Sequence, residues 1–302
     1  MNMKRLGIFV VLLGLLVSLV VGCQPQFQPG TYTDDIGRAV SIDEVPQRIV
    51  SHVPSITETL FALGLGEKVV GVSDYCDYPE EAKLKPSVGS YFNPSIENIV
   101  ALDPDLVLTD GHSESIKGLE GLGITFFVVD PKDIDGIFKD IELLGKVTGT
   151  EGRANKLIND MKKDISYVSS RVKDAPKVKV FYIIDATDLT LPWTVGPGSF
   201  ADALITMAGG ENAAAKAQGA WVQFSIEEVV SSDPEIIILP AKHGTAYTSP
   251  EMLKAHPAWR GIIAVRQDRI YIIDGDLVDR SGPRIVQGLK EMAKIIHPEL
   301  FK

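Results

Sequence analysis

Ser95-Ile96-Glu97-Asn98-Ile99-Val100-Ala101-Leu102-Asp103-Pro104-Asp105-Leu106-Val107-Leu108 returns 130 residues later as Ser225-Ile226-Glu227-Glu228-Val229-Val230-Ser231-Ser232-Asp233-Pro234-Glu235-Ile236-Ile237-Ile238, with six positions identical. In each copy the serine can cap a short helix, and Asp-Pro ends it because proline disfavours helix at the residue before it. The apolar, partly β-branched run that follows reads as a buried strand. Ser225 and Glu228 also fit a capping box, whereas Ser95 meets Asn98 and does not. One helix-to-strand unit used twice predicts two lobes of similar plan.

Each half repeats such units. Arg48 to Val53, Val69 to Val72 and Ile124 to Val129 read as strands, Ser55 as the cap of a helix ending near Gly64, and Phe138 to Val147 as a helix. Beyond the midpoint, strands are expected over Val178 to Ile184 and Arg269 to Ile273, and helices near Ala201 to Ala208 and over Pro283 to Ile296. Strands alternating with helices imply an α/β fold with parallel sheets. Between the halves, Ala154, Leu157, Ile158, Met161, Ile165, Val168 and Val172 recur at spacings of three and four. That is one amphipathic helix over 150–173, about 36 Å long at ~1.5 Å per residue, a stiff connection between a first lobe at 31–149 and a second at 174–302.

The amino terminus reads differently. Lys4 and Arg5 precede an apolar run from Leu6 to Val21, the charged start and apolar middle of a secretory signal over 1–22. Val20-Val21-Gly22-Cys23 resembles the lipobox of bacterial lipoproteins, which implies an acylated Cys23, a tether over 23–30 and a protein held at the cell membrane on its extracytoplasmic face, periplasmic or outer. Cys76 is then the only remaining thiol.

The 302 residues, 45% of them apolar, are enough for two domains with cores. A formal charge of -10 excludes a surface built to coat nucleic acid. Two cysteines and five scattered histidines supply neither a disulfide framework nor a zinc module.

With Arg48-Ile49-Val50-Ser51 leading into Pro54-Ser55-Ile56-Thr57-Glu58-Thr59-Leu60, then Val70-Gly71-Val72-Ser73-Asp74-Tyr75-Cys76-Asp77-Tyr78-Pro79, both Ser-Ile-Glu units and the long central helix, the chain from Thr31 to His297 resembles the class III periplasmic binding proteins. These serve ABC importers for cobalamin, ferric siderophores and haem. The resemblance implies two Rossmann-like lobes with parallel sheets joined by a single long α-helix, and a solute held between them for delivery to a dimeric permease with its ATPase subunits. No Gly-x-x-x-x-Gly-Lys-Ser/Thr loop is present, so the ATP chemistry belongs elsewhere. A monomer without a resident cofactor is expected, cobalamin being cargo.

Cobalamin is the ligand that the resemblance favours. It places Tyr75, Tyr91, Trp193 and Trp221 along the cleft, with Tyr91 where a tryptophan is usual, and Asp276 and Arg280 as polar contacts to the ligand's amides. Trp193 and Trp221 lie in turn-like contexts, beside Pro192 and Gly196 or Gly219 and Gln223, and exposed tryptophans favour a large flat ligand. Covering about 400 Å² of apolar ligand surface contributes roughly 10 kcal/mol gross at ~25 cal/mol per Å². Glu97 and Glu227 sit where a first helical turn favours a carboxylate; the family reading makes them docking points for permease arginines, one per lobe.

Ferric siderophores and haem are the alternatives within the family. Haem binders of this type place an iron-ligating tyrosine directly after a glycine, where this chain has Gly89-Ser90. Anionic siderophores call for clustered cations that the loops lack. Direct metal binding would draw on His52, His112, His243 or Cys76. An enzyme is not expected: the two Ser-Ile-Glu carboxylates belong to separate lobes, unlike the paired acids of a glycosidase. A tetrapyrrole chelatase, the sharper enzymatic rival, would rest on His112 with Glu114, and export argues against it.

Overall fold

Asp103 and Asp233 both stand in the left-handed region, at φ 46° and 44°, immediately before the prolines that end their helices. Proline excludes the right-handed helical conformation at the preceding residue, and a short acidic side chain tolerates positive φ. Helices Ile96–Ala101 and Ile226–Ser232 therefore stop at matched places, and each delivers the chain into a strand. Arg48 and Lys179 secure the joints in the same way. The Arg48 guanidinium donates to the carbonyl of Leu102 at 2.6 Å, and Lys179 Nζ to that of Ser232 at 2.8 Å. Asp105 and Glu235 in turn accept from the backbone N–H groups of Arg48 and Lys179. The repeat read in the sequence is thus a repeated structural joint, and the capping box forms at Ser225 while Ser95 caps through a single bond from Asn98.

The computed structural model describes residues 27–302 apart from 113, 243, 244 and 247. The secretory signal, Cys23 and His243 lie outside the described residues. β1 (Gly30–Thr33) and β2 (Ala39–Ile42) form an antiparallel pair. β3 (Ile49–Ser51), β4 (Val69–Val72), β5 (Leu106–Thr109) and β6 (Phe126–Val128) build the first parallel sheet in the order β4-β3-β5-β6. The second sheet comprises β7 (Val178–Asp185), β8 (Trp193–Val195), β9 (Gly210–Asn212), β10 (Trp221–Gln223), β11 (Ile236–Lys242), β12 (Thr245–Ala246) and β13 (Ile270–Asp274). Its centre, β9-β7-β11-β13, is parallel, while β8, β10 and β12 run antiparallel at its margins. The short strands Trp193–Val195 and Trp221–Gln223 correct the expectation of turns there: three residues ending in β-branched or extended positions suffice once each has a partner strand.

Alternation along the strands divides the interior. Ile49, Leu106, Leu108, Val180, Tyr182, Ile236 and Ile238 point to one continuous core, which the helix Glu151–Val172 joins with Ala154, Ile158, Met161, Val168 and Val172. Val50 and Val107 face a separate outer cluster in the first lobe, and Phe181, Ile183, Ile237 and Leu239 one in the second. The central helix is therefore packed into both lobes, against helices Ile134–Thr148 and Ile285–Ile296. Gly145 allows that approach, since a Cβ there would meet the Ala154 Cβ at 2.5 Å. Helix Pro54–Ala62 begins with Pro54 at its N-terminal position and carries no side-chain cap, so Ser55 is not the cap that the sequence suggested. Proline has no N–H to satisfy there and its φ already suits the helix.

Candidate functional site

The first-lobe loops that carry the expected site residues leave the carboxyl ends of its parallel strands, the usual place for ligand contacts in such sheets. His52 follows β3, Asp110 follows β5 and Tyr75 follows β4. Tyr91 comes from the loop after β4, where its ring stacks on His52 at 5.6 Å between centroids and 9° between planes. Its hydroxyl donates to Asp110 Oδ2. Burial and the Asp110 carboxylate push the Tyr91 phenol well above its ordinary range, and burial lowers the pKa of the His52 imidazole. Phe92 stands edge-on to Tyr91 at 5.0 Å and to Tyr75 at 6.2 Å. The result is a connected aromatic run, His52-Tyr91-Phe92-Tyr75, whose most solvent-exposed ring is Phe92.

The second lobe supplies a different aromatic surface. In the β8–β10 pairing, Trp193 stands opposite Gln223 and Trp221 opposite Val195. Opposed residues of an antiparallel pair share a face, so both tryptophans lie on the same side as diagonal neighbours. The pair is drawn tight at its end: a Cβ on Gly196 would meet the Gly219 carbonyl oxygen at 2.1 Å, so only glycine fits. Trp193 is 43% exposed, Trp221 59% and, in the other lobe, Phe92 78%. Tyr75 and Tyr91 are thus brought together through Phe92, and Trp193 with Trp221 by the ladder, while no ring contact joins the two sets among the described residues.

Arg280 lies where the lobes meet. Its Nη1 is 3.0 Å from Glu58 Oε1 and 2.7 Å from Asp77 Oδ1, both of the first lobe, and its Nη2 is 3.0 Å from Asp276 Oδ1. Arg284 holds the same Glu58 through two bonds of 2.6 and 2.8 Å and lies over the Tyr78 ring. Nearby, Gly282 passes so close to Ser55 that a Cβ would sit 3.2 Å from that residue's backbone oxygen. Asp276 and Arg280 are therefore partners in an interlobe ion network.

The alternative metal ligands fare differently. Cys76 is buried, its sulfur within 3.2 Å of Thr57 Oγ1 and 3.3 Å of Ser73 Oγ, and burial raises its pKa. A buried neutral thiol in a hydroxyl cage corrects the idea of Cys76 as a ligand presented to the cleft. His52 is likewise enclosed beneath Tyr91. His112 is exposed, 4.0 Å from Asp130, and the Glu114 side chain lies outside what is described. Glu97 and Glu227 are exposed in the first turns of their helices. Sequence reasoning missed Phe92, Asp110 and Glu58; only Phe92 left a signal, an aromatic between Gly89 and Pro94 in a turn-rich loop.

Two α/β lobes on a shared helix, each presenting exposed aromatic rings, have the plan of a solute-binding protein. The family model described as Periplasmic binding protein matches residues 49–277, and the chain belongs to that family. It is 34% identical to the uncharacterized ABC transporter substrate-binding lipoprotein YvrC of Bacillus subtilis, over 99% of each chain. A vitamin B12-binding protein of Vibrio parahaemolyticus is 26% identical, over 83% of this chain and 90% of its own. Among solved structures, the periplasmic heme-binding protein RhuT of Roseiflexus superposes with a TM-score of 0.74 at 27% identity, covering 84% of this chain and 99% of its own. The chain is a substrate-binding component of an ABC transporter and not an enzyme.

Proposed function

We propose that this protein captures cobalamin or a related corrinoid between its lobes and hands it unchanged to the permease. The observation that carries the reading is the pair of exposed aromatic surfaces, Tyr75-Phe92-Tyr91 on one lobe and Trp193-Trp221 on the other. A broad, flat, largely apolar solute covers both, and the polar groups of Asp276 and Arg280 at the junction suit amide side chains. An anionic ferric siderophore fits less well, because Arg280 and Arg284 are already balanced by Glu58, Asp77 and Asp276. Haem coordination by Tyr91 is disfavoured, since a phenol held protonated beside Asp110 resists becoming the phenolate that iron takes.

In this reading acylated Cys23 keeps the protein at the membrane, the 31–149 and 174–302 lobes flank the ligand on the 150–173 helix, and Glu97 and Glu227 meet arginines of the dimeric permease. Calorimetry of the purified mature protein with cyanocobalamin, haemin and a ferric siderophore panel tests the ligand. One-to-one cyanocobalamin binding is expected; a flat cyanocobalamin trace beside a strong siderophore or haemin signal would replace it. The double variant Glu97→Ala, Glu227→Ala should keep its cobalamin affinity and lose permease association. Loss of cobalamin binding instead would place both carboxylates in the pocket.

A further inference from the structure

The two helices that carry Glu97 and Glu227 share a second outward residue. Val100 and Val230 follow the glutamates by three positions, so each Glu and Val occupy one helix face. The valines are 43% and 46% exposed, whereas Ile99 and Val229 beside them are buried. At the other outward positions the two copies differ: Asn98 against Glu228, Ala101 against Ser231. Within the two helices, Glu and Val are the only exposed residues that the copies share. Local stability does not explain the valine, because a β-branched residue at an exposed helix position forms helix less readily than Ala, Lys or Glu. Nor does packing, since the inward positions already fill the two outer cores.

We propose that Val100 and Val230 are apolar anchors of the permease interface, and that each Glu–Val pair seats one half of a two-fold symmetric partner presenting a cation beside an apolar side chain. The proposal rests on the docking role given above to the glutamates. A negative point flanked by an apolar one, repeated once per lobe, matches a symmetric dimer in both charge and number. The carboxylates would steer and orient the encounter, and the valines would supply contact that salt does not screen.

The test compares Val100→Thr, Val230→Thr with Glu97→Ala, Glu227→Ala. Threonine keeps the shape and β-branching of valine and replaces one of its two methyl groups with a hydroxyl, so that a close apolar contact would have to desolvate a polar group. Binding to the transporter's permease–ATPase complex in lipid nanodiscs is measured at about 0.05 and about 0.5 M salt. The valine variant should bind about fivefold or more weakly at both salt concentrations. The glutamate variant's deficit should shrink at high salt. Both variants should unfold cooperatively, the glutamate variant at most slightly earlier because it loses two helix N-terminal carboxylates, and cyanocobalamin affinity should be unchanged in both. If only the glutamate variant weakens, the anchors are overturned and glutamate docking stands. If neither weakens, docking on these helices is overturned altogether. Val100→Leu, Val230→Leu, which keep an apolar side chain, should retain binding; a loss there equal to that of threonine would overturn apolar anchoring.

Discussion

Phe92 and Trp221 are apolar side chains left in water, and their worth lies in what covers them. A tryptophan or phenylalanine fully covered by a ligand behaves as a binding hot spot. Trp221→Ala and Phe92→Ala should each weaken cyanocobalamin binding by about 10- to 100-fold, the effect of losing roughly 1.5–3 kcal/mol, with unchanged denaturant stability. Calorimetry reads the first and urea unfolding the second; an unaltered affinity in both variants would remove these rings from the ligand. Asp140 shows the opposite situation, a carboxyl on the buried side of its own helix Ile134–Thr148, with Oδ2 unpaired. Burial first, and the nearby Asp35 second, push its pKa up to about 8. The folded state then holds a proton that the unfolded chain releases near its ordinary value of 3.8. This group's contribution to stability is therefore complete in acid and declines as the pH rises from about 4 to about 8. Asp140→Asn should flatten that part of the curve of unfolding free energy against pH.

The β8–β10 ladder fixes the relative placement of Trp193 and Trp221 through backbone contacts. Gly196 N donates to the Ala220 carbonyl at 3.0 Å, and Phe224 N to that of Pro192 at 2.9 Å. Because the obstacle to a Cβ on Gly196 is the backbone oxygen of Gly219, neither strand can yield without parting the ladder. Gly196→Ala should therefore displace both tryptophans together, lowering cyanocobalamin affinity about tenfold or more and changing the near-ultraviolet dichroism. The far-ultraviolet spectrum should hardly move. Helix Glu151–Val172 works at longer range. Its five buried residues continue one core from lobe to lobe, so relative motion of the lobes would have to disturb close packing.

Across the molecule, the lobes are tied by that shared core and by the ion network around Glu58, whose side chain is 2% exposed. A buried carboxylate held by two guanidinium groups leaves unpaired charge when it is removed, a loss of about 3–5 kcal/mol. Glu58→Ala should show a loss of this size in urea unfolding, and a double-mutant cycle with Arg284→Ala should show strong coupling. A loss under about 1 kcal/mol would mean that the arginines find water or other carboxylates instead. Since Arg280 belongs to the same network, the cycle also reports how firmly the proposed ligand contact is positioned before ligand arrives.

Much of this architecture is written in local pattern. The duplicated Ser-Ile-Glu units determined two helix-to-strand joints, because capping and the Asp-Pro stop act over a few residues. Alternating helix and strand determined an α/β fold, and the three-four spacing of Ala154 to Val172 determined a helix with one apolar face. Only the tertiary structure decided that Trp193 and Trp221 share a sheet face, that Phe92 completes the first-lobe aromatic surface, and that Arg280 and Arg284 close on Glu58. Those relations reach across as many as 226 positions, and their geometry comes from strand register, steric fit and burial, which no short stretch of chain encodes on its own.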